Sequence, residues 1–378
     1  MPGFMDDAAV VERVLRHIAD GTTDRGDEVF REPVANYRCP ERLEAEIRVL
    51  RSSATAFCPS AAVPEVGSFV AREAAGTPLV AVRGRDGRVR AFRNACRHRG
   101  TQLASGSGCT KAFVCPYHGW TYQLDGRLQH VPHRDGFPGL DLEQHGLVRV
   151  SAEEHCGLVF VAQGEASAGG APWRGLSELV SPEQVLMRSN EAEVPVNWKL
   201  YLEGFIEGYH IRATHKESFY PYGFDNLNVV ELCGANSRVT YPFRRIEKLA
   251  ELPGADRRAD GKLTYVYHLF PNALVTVLSR HTNLVVLEPL AVDRTRVFNY
   301  TLTNRGGGAD AAKLAERDSA FVGQTGATED LAVVRAIQRS IGSGANELFT
   351  FGHFESAIVH FHRNLDAALA SEVPRGAS

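Results

Sequence analysis

Residues 94–122, NACRHRGTQLASGSGCTKAFVCPYHGWTY, place two thiol-plus-imidazole pairs on two separate loops: Cys96 with His98, then Cys115 with His118. The spacing is C-x-H, sixteen residues, C-x2-H, and each pair is followed at once by a glycine turn, Gly100 or Gly119. Two thiols and two imidazoles fit a tetrahedral zinc site, although zinc fingers usually group Cys with Cys and His with His. They also fit a [2Fe–2S] cluster carrying two thiolates on one iron and two imidazoles on the other. The cluster needs one Cys and one His from each loop, which the interleaved order supplies.

Outward from these loops the chain is β-rich. Short runs such as TPLVAVRG (77–84), VRAFRNA (89–95), WTYQL (120–124) and GLVFVAQ (157–163) are punctuated by the turns RDGR (85–88) and LDGR (124–127). They define an all-β domain over about 53–165. Before it, residues 1–52 hold two helical stretches, 7–19 and 41–51, by their apolar spacing. After it, GEASAGGAP (164–172) reads as a small-residue linker. Residues 166–378 form the last unit. Five strands are expected, at 235–249, 262–270, 273–279, 282–292 and 295–304. GGGADAAKL (306–314) then reads as a flexible start to helices at 311–323, 328–341 and 353–370. In the last helix Phe354, Ile358, Phe361 and Leu365 make an apolar face for the sheet. The fold class is α+β, an all-β domain inserted before an antiparallel sheet covered by helices.

With 378 residues, 42 Lys and Arg against 45 Asp and Glu and a net charge of −3, the chain lacks the basic bias of a nucleic-acid binder. No apolar run is long enough for a transmembrane helix, and the acidic N-terminus does not read as a signal peptide. Seven cysteines are odd in number and thinly spread, so a disulfide framework is not expected and a cytoplasmic setting is.

The second chemical motif is PVNWKLYLEGFIEGYHIRATHKESF (195–219). Asn197 is placed to cap a helix through Trp198, Leu202, Phe205, Ile206 and Tyr209. His210 and His215 are five apart, and a regular helix would point them about 140° from each other. Either the helix breaks between them or they do not share a metal.

The first loops resemble the Rieske motif, with its C-P-Y-H-G-W second box. Thr101 and Tyr117 stand where respiratory Rieske proteins carry a disulfide, and Trp120 stands where they carry a serine. Fewer hydrogen bonds to sulfur would lower the potential, as in the oxygenase and ferredoxin branch. The 195–219 segment is similar to the catalytic signature of Rieske non-haem iron oxygenase alpha subunits, of the aromatic-ring-hydroxylating or phenylpropionate-dioxygenase type. That resemblance implies a helix-grip catalytic domain with a [2Fe-2S] Rieske cluster on Cys96, His98, Cys115 and His118. It implies His210 and His215 as ligands of a mononuclear non-haem Fe(II), and Glu207 as the acidic bridge for electron transfer between subunits. The third ligand is expected in ATEDLAVVRAIQ (327–338), with Asp330 chosen ahead of Glu329 and Asp318. His360 and His362 are read as structural or exposed.

The activity implied is that of an O2- and NAD(P)H-dependent oxidoreductase (EC 1.14). A reductase or ferredoxin passes electrons through the cluster to the iron, and an aromatic or other hydrophobic substrate is hydroxylated, as in aromatic hydrocarbon catabolism. A head-to-tail homotrimer is implied. Arg93, Arg97, Arg99 and Lys111 could dock an acidic ferredoxin. Arg244 and Arg245 could hold a carboxylate, although strand alternation would turn only one of them inward. The alternatives are a monooxygenase or demethylase acting on a quaternary amine or a carboxylate, and a non-catalytic Rieske electron carrier. A colourless zinc-stabilised binding protein is a further rival.

Overall fold

Asp6 begins the first helix, Asp7–Asp20, by accepting a 2.8 Å hydrogen bond from the Ala9 amide, and left-handed Gly21 ends it. The second helix, Pro40–Ser52, starts with proline at its first position, where no amide is lost. Both expected N-terminal helices thus form, in a computed structural model that describes residues 3–164, 171–176, 178–304 and 308–372. The expected linker 164–172 and the expected flexible start 306–314 lie partly outside the described residues. Among the described residues no helix is long and apolar enough to cross a membrane.

The β-rich region builds a seven-stranded antiparallel sheet and a smaller three-stranded sheet. The small sheet pairs Phe113–Val114, Thr121–Tyr122 and Leu128–His130, and so ties the second Cys/His loop to a turn. Beneath both loops lies a core of Val80, Val82, Phe92, Trp120, Tyr122 and Leu128.

The second half forms another seven-stranded antiparallel sheet. Five of its strands match the expected stretches. The outer two, Gln184–Val194 and Val229–Cys233, were not expected. The first of these, QVLMRSNEAEV, sits at the sheet edge with most side chains exposed, so it shows no clear apolar alternation. A second difference falls at 235–249. The strand Asn236–Pro242 stops at the proline, and Arg244–Glu251 is a 3₁₀ helix. The alternation that would have turned only one of Arg244 and Arg245 inward therefore does not apply.

Helices cover the sheet. Ser356–Glu372 buries Ile358, Phe361 and Leu365, and Phe361 meets Trp198 edge to face at 5.6 Å. Each such side chain contributes roughly 1.5–3 kcal/mol by burial. The segment after the sheet is one helical run. An α-helix Gly308–Thr325 passes through a π-helical turn, Gly326–Asp330, into a second α-helix, Leu331–Ser340. The two halves of the chain are bolted by Arg72, which bonds Glu288 at 3.0 Å while Glu288 also accepts from the Ala75 amide at 2.6 Å. Burial pushes the Glu288 carboxyl up, and Arg72 together with the Ala75 amide offsets part of the cost.

Candidate metal centres

The two Cys/His loops have the same backbone. Cys96 donates its amide to Thr101 and accepts from Gly100, at 2.9 and 2.8 Å; Cys115 does the same with Trp120 and Gly119, at 2.8 and 3.0 Å. Gly100 and Gly119 close these loops at φ +81° and +71°, a region other residues avoid. The repeated loop buries both thiols and leaves His98 half-buried and His118 exposed. Their Nδ1 atoms are 3.1 Å apart. Trp120 stacks on His98 and Tyr117 on His118, with ring centroids 5.0 and 3.7 Å apart. Tyr122 accepts the Arg97 amide at 2.9 Å, and its hydroxyl lies 3.2 Å from Cys96 Sγ. Burial raises the Cys96 thiol above its ordinary range. A metal bound to sulfur would relieve this by stabilising thiolate. Two buried thiols and two converging Nδ1 atoms fit a two-iron cluster, which these four residues would hold.

The second centre depends on a helix that fails to continue. Asn197 caps Trp198–Glu203 as expected, accepting from Lys199 at 3.0 Å, but the helix stops at Glu203. Phe205, Ile206 and Tyr209 lie beyond it. Gly208 then passes so close to Asn228 that a Cβ would sit 2.4 Å from Asn228 Oδ1. A short helix, Ile211–Thr214, follows, with His210 before it and His215 after it. The break removes the divergence that a regular helix would impose. Tyr241 fixes the broken segment by donating to the carbonyls of Phe205 and Glu207, at 2.9 and 3.0 Å.

His215 Nε2 lies 2.8 Å and His210 Nε2 3.5 Å from Asp330 Oδ1. The three donor atoms all lie within 4.8 Å of one another. Each imidazole is held from behind at Nδ1: His210 by Glu207, His215 by Glu329 at 2.6 Å. Ser218 donates to the same Glu329 oxygen at 2.5 Å. The π-helical turn aims the adjacent Glu329 and Asp330 at the same pair of rings. Burial disfavours a charged His210, yet hydrogen bonds to Asp330 and Glu207 outweigh it and push its pKa up to about 10. His215 is raised and Asp330 lowered by the same contacts. Protons thus supply positive charge where a divalent cation would replace them, so the donor set fits a metal.

Asp318, weighed as a third ligand, instead faces His281 at 3.3 Å. His362 is buried and bonds Glu203 at 2.9 Å, and His360 bonds the Gly234 carbonyl at 3.0 Å. Sequence reading missed the supporting roles of Glu329, Ser218 and Tyr241. The glycines at 204 and 208 were the available signal that the helix breaks.

A cavity of about 1120 Å³ opens from this centre. Phe205, Phe219, Leu331, Val266, Val285 and Val297 line it, and Arg244 and Arg245 both reach it.

Two family models match the chain. The Rieske [2Fe-2S] domain covers residues 53–145, and the ring hydroxylating alpha subunit (catalytic domain) covers residues 183–371. The chain belongs to the Rieske ring-hydroxylating oxygenases, as an alpha subunit. It is 29% identical over 332 residues to the carnitine monooxygenase oxygenase subunit of Escherichia coli K12, covering 81% of this chain and 84% of that one. It is 26% identical over 360 residues to the terephthalate 1,2-dioxygenase terminal oxygenase component subunit alpha 2 of Comamonas sp., covering 84% and 82%. Its fold matches naphthalene 1,2-dioxygenase from Rhodococcus sp. with a TM-score of 0.76 at 18% identity, over 97% and 99% of the two chains. The protein is therefore a Rieske terminal oxygenase with a [2Fe-2S] cluster and a mononuclear iron. It takes electrons from a reductase partner and uses O2 and an organic substrate.

Proposed function

We propose that His210, His215 and Asp330 hold the mononuclear iron, that Cys96, His98, Cys115 and His118 hold the cluster, and that the chain hydroxylates an aromatic or other hydrophobic substrate in the cavity above the iron. The observation that carries this reading is the convergence of two imidazole Nε2 atoms and one carboxylate oxygen at the inner end of a largely apolar cavity. When bound, the cluster supplies single electrons and the iron supplies O2 activation.

The chain's own groups do the rest. Glu207 and Glu329 hold the two imidazoles so that Nε2 faces inward. Phe205, Phe219 and Leu331 exclude water and press a flat substrate toward Asp330. Glu207 is our candidate for the bridge to a neighbouring subunit, because it already touches His210. Exposed His118 favours an electron path that leaves the chain, and hence a head-to-tail homotrimer of units spanning 1–52, 53–165 and 166–378. Arg93, Arg97, Arg99 and Lys111, which flank the cluster loops, form the docking patch for an acidic ferredoxin. A cytoplasmic setting goes with the free thiols of Cys39, Cys58, Cys109 and Cys156. The likeness to carnitine monooxygenase favours a second reading, oxidation of a quaternary amine.

A single-turnover experiment tests the first reading. Reduced protein is mixed with O2 and either naphthalene, biphenyl and their carboxylates, or carnitine and glycine betaine. Hydroxylated arene products are expected; products from the amines alone would favour the second reading.

A further inference from the structure

Five guanidiniums line the one cavity: Arg188 on the edge strand, Arg244 and Arg245 on the 3₁₀ helix, Arg280 beside the strand His281–Ala291, and Arg317 on the helix Gly308–Thr325. Among the described residues none of the five is paired with a carboxylate. Arg212 and Arg238, by contrast, meet Asp225 and Glu231 at 2.8 and 2.5 Å. Away from the candidate iron ligands and Glu207, the lining offers one carboxylate, Asp318; His281 lies 3.3 Å from it, and Arg280 and Arg245 act on it through charge without reaching ion-pair distance.

The guanidiniums are also positioned. Arg244 lies over the rings of Tyr220 and Phe224, at 5.6 and 5.4 Å, and Arg245 over Phe243 at 4.9 Å. Stacking fixes the plane of a guanidinium and leaves its N–H edge free for a planar anion. Arg188 donates to Ser319 at 3.2 Å. A concave site with apolar walls and five guanidiniums against one nearby carboxylate concentrates anions.

Arg280 and Arg245 sit at the outer end of the cavity with Arg317: Arg280 adjoins His281, which lies 3.3 Å from Asp318 beside Arg317, and a Cβ on Gly261 would lie 3.6 Å from Ser279 Cβ and 3.7 Å from the Arg245 guanidinium. Arg317 precedes Asp330 by thirteen residues on the continuous helical run, which is about 20 Å along the axis. Arg244 is nearer the metal end, since the Tyr220 ring beneath it belongs to a residue whose amide bonds the His215 carbonyl at 3.0 Å. The inner part is walled by Phe205, Phe219 and Leu331.

We infer that the substrate is an organic acid, with an apolar body against the inner wall and a carboxylate gripped by Arg245 and Arg280 at the outer end. This deepens the oxygenase reading and rests on the cavity being its substrate site. An extended acid suits the separation better than a single-ring one.

The test is calorimetric titration of the holoenzyme with biphenyl-4-carboxylate, its methyl ester and the matching aryl-trimethylammonium ion. The acid should bind about tenfold or more tightly than the ester, with the cation weakest. The double variant Arg245→Gln/Arg280→Gln should weaken the acid about tenfold and leave the ester unchanged. Raising the salt concentration should weaken only the acid. No preference for the acid, or a variant that weakens acid and ester equally, overturns the inference. Binding is read without turnover. Absent iron or absent product would therefore count against the oxygenase reading, while the calorimetry would still decide the acid.

Discussion

The two metal-binding regions are built from parts at very different separations. The cluster donors all lie between positions 96 and 118, on two loops with the same backbone hydrogen bonds. The second donor set joins a broken helix at 210–215 to a π-helical turn ending at 330. The first is a local solution, completed by a small sheet and two glycines. The second exists only once the large sheet and its helices have packed. Each set mixes buried and more open donors, but only the first reaches the surface: His118 is exposed, whereas His210 and Asp330 are half-buried and His215 is 1% exposed. A donor at the surface suits electron entry, and a buried one suits chemistry kept from water.

The strongest way to break this comparison is to remove one region at a time. Asp330→Ala or His215→Ala should abolish mononuclear iron binding and lower turnover by about 10³-fold or more, leaving the cluster's absorbance intact. Cys115→Ala should do the reverse, losing the cluster spectrum while Fe(II) still binds at the second site. Metal analysis with visible spectroscopy reads both, and loss of both centres in either variant would show that the regions are not independent.

Stability should divide in the same way. Beneath the second region, Lys199 meets Glu46 at 2.6 Å with both side chains buried, and Glu46 also accepts from Trp198 at 2.8 Å. Lys199→Met should cost about 1–3 kcal/mol, because buried Glu46 loses its nearest cation and keeps only Arg42, at 3.2 Å. Denaturant unfolding followed by tryptophan fluorescence measures it, and the loops around Cys96 should keep their cluster until global unfolding.

A smaller effect sharpens the role of the groups behind the ligands. Ser218→Ala removes the hydroxyl that steadies Glu329 behind His215. Fe(II) affinity should fall roughly tenfold while the cluster potential stays unchanged. Conversely, Tyr122→Phe should lower the cluster potential by roughly tens of millivolts and leave Fe(II) affinity alone. Equilibrium Fe(II) titration and redox titration separate the two.

The smallest effect concerns pH. Burial, with the charges of Glu207 and Glu203 adding to it, raises the Glu355 carboxyl from 4.5 to about 7, despite a bond from the Gly352 amide. A carboxyl whose folded pKa lies above its unfolded value favours the fold when protonated. That contribution is full below about pH 4.5 and is lost as pH rises through 7. Glu355→Gln keeps the acceptor for Gly352 and should gain about 1 kcal/mol at pH 8 but little at pH 4.5, as read by urea midpoints.

Legibility in the sequence tracked the same divide. The Cys/His loops were readable because their chemistry and spacing are local. The N-terminal helices and five catalytic strands were readable by periodicity and caps. The edge strand Gln184–Val194 was not, because an exposed edge has no apolar face to display. The 140° divergence of His210 and His215 was a correct statement about a regular helix. The end of the helix at Gly204 was within reach of the sequence, but the course of the chain beyond it was not, because it depends on Gly208 passing against Asn228, a residue far along the chain. Glu329 was weighed as a ligand, but its place behind His215 depends on the π-helical turn and on Ser218. Both Arg244 and Arg245 reach the cavity because the strand ends at Pro242, a signal local to the sequence.

The most direct test of two distinct metal centres is the iron and acid-labile sulfide content of anaerobically purified protein, with EPR of the dithionite-reduced form. The account predicts about three irons and two sulfides per chain, with a rhombic Rieske signal. About two irons and two sulfides, unchanged after Fe(II) is added back, would contradict it and leave His210, His215 and Asp330 without a metal.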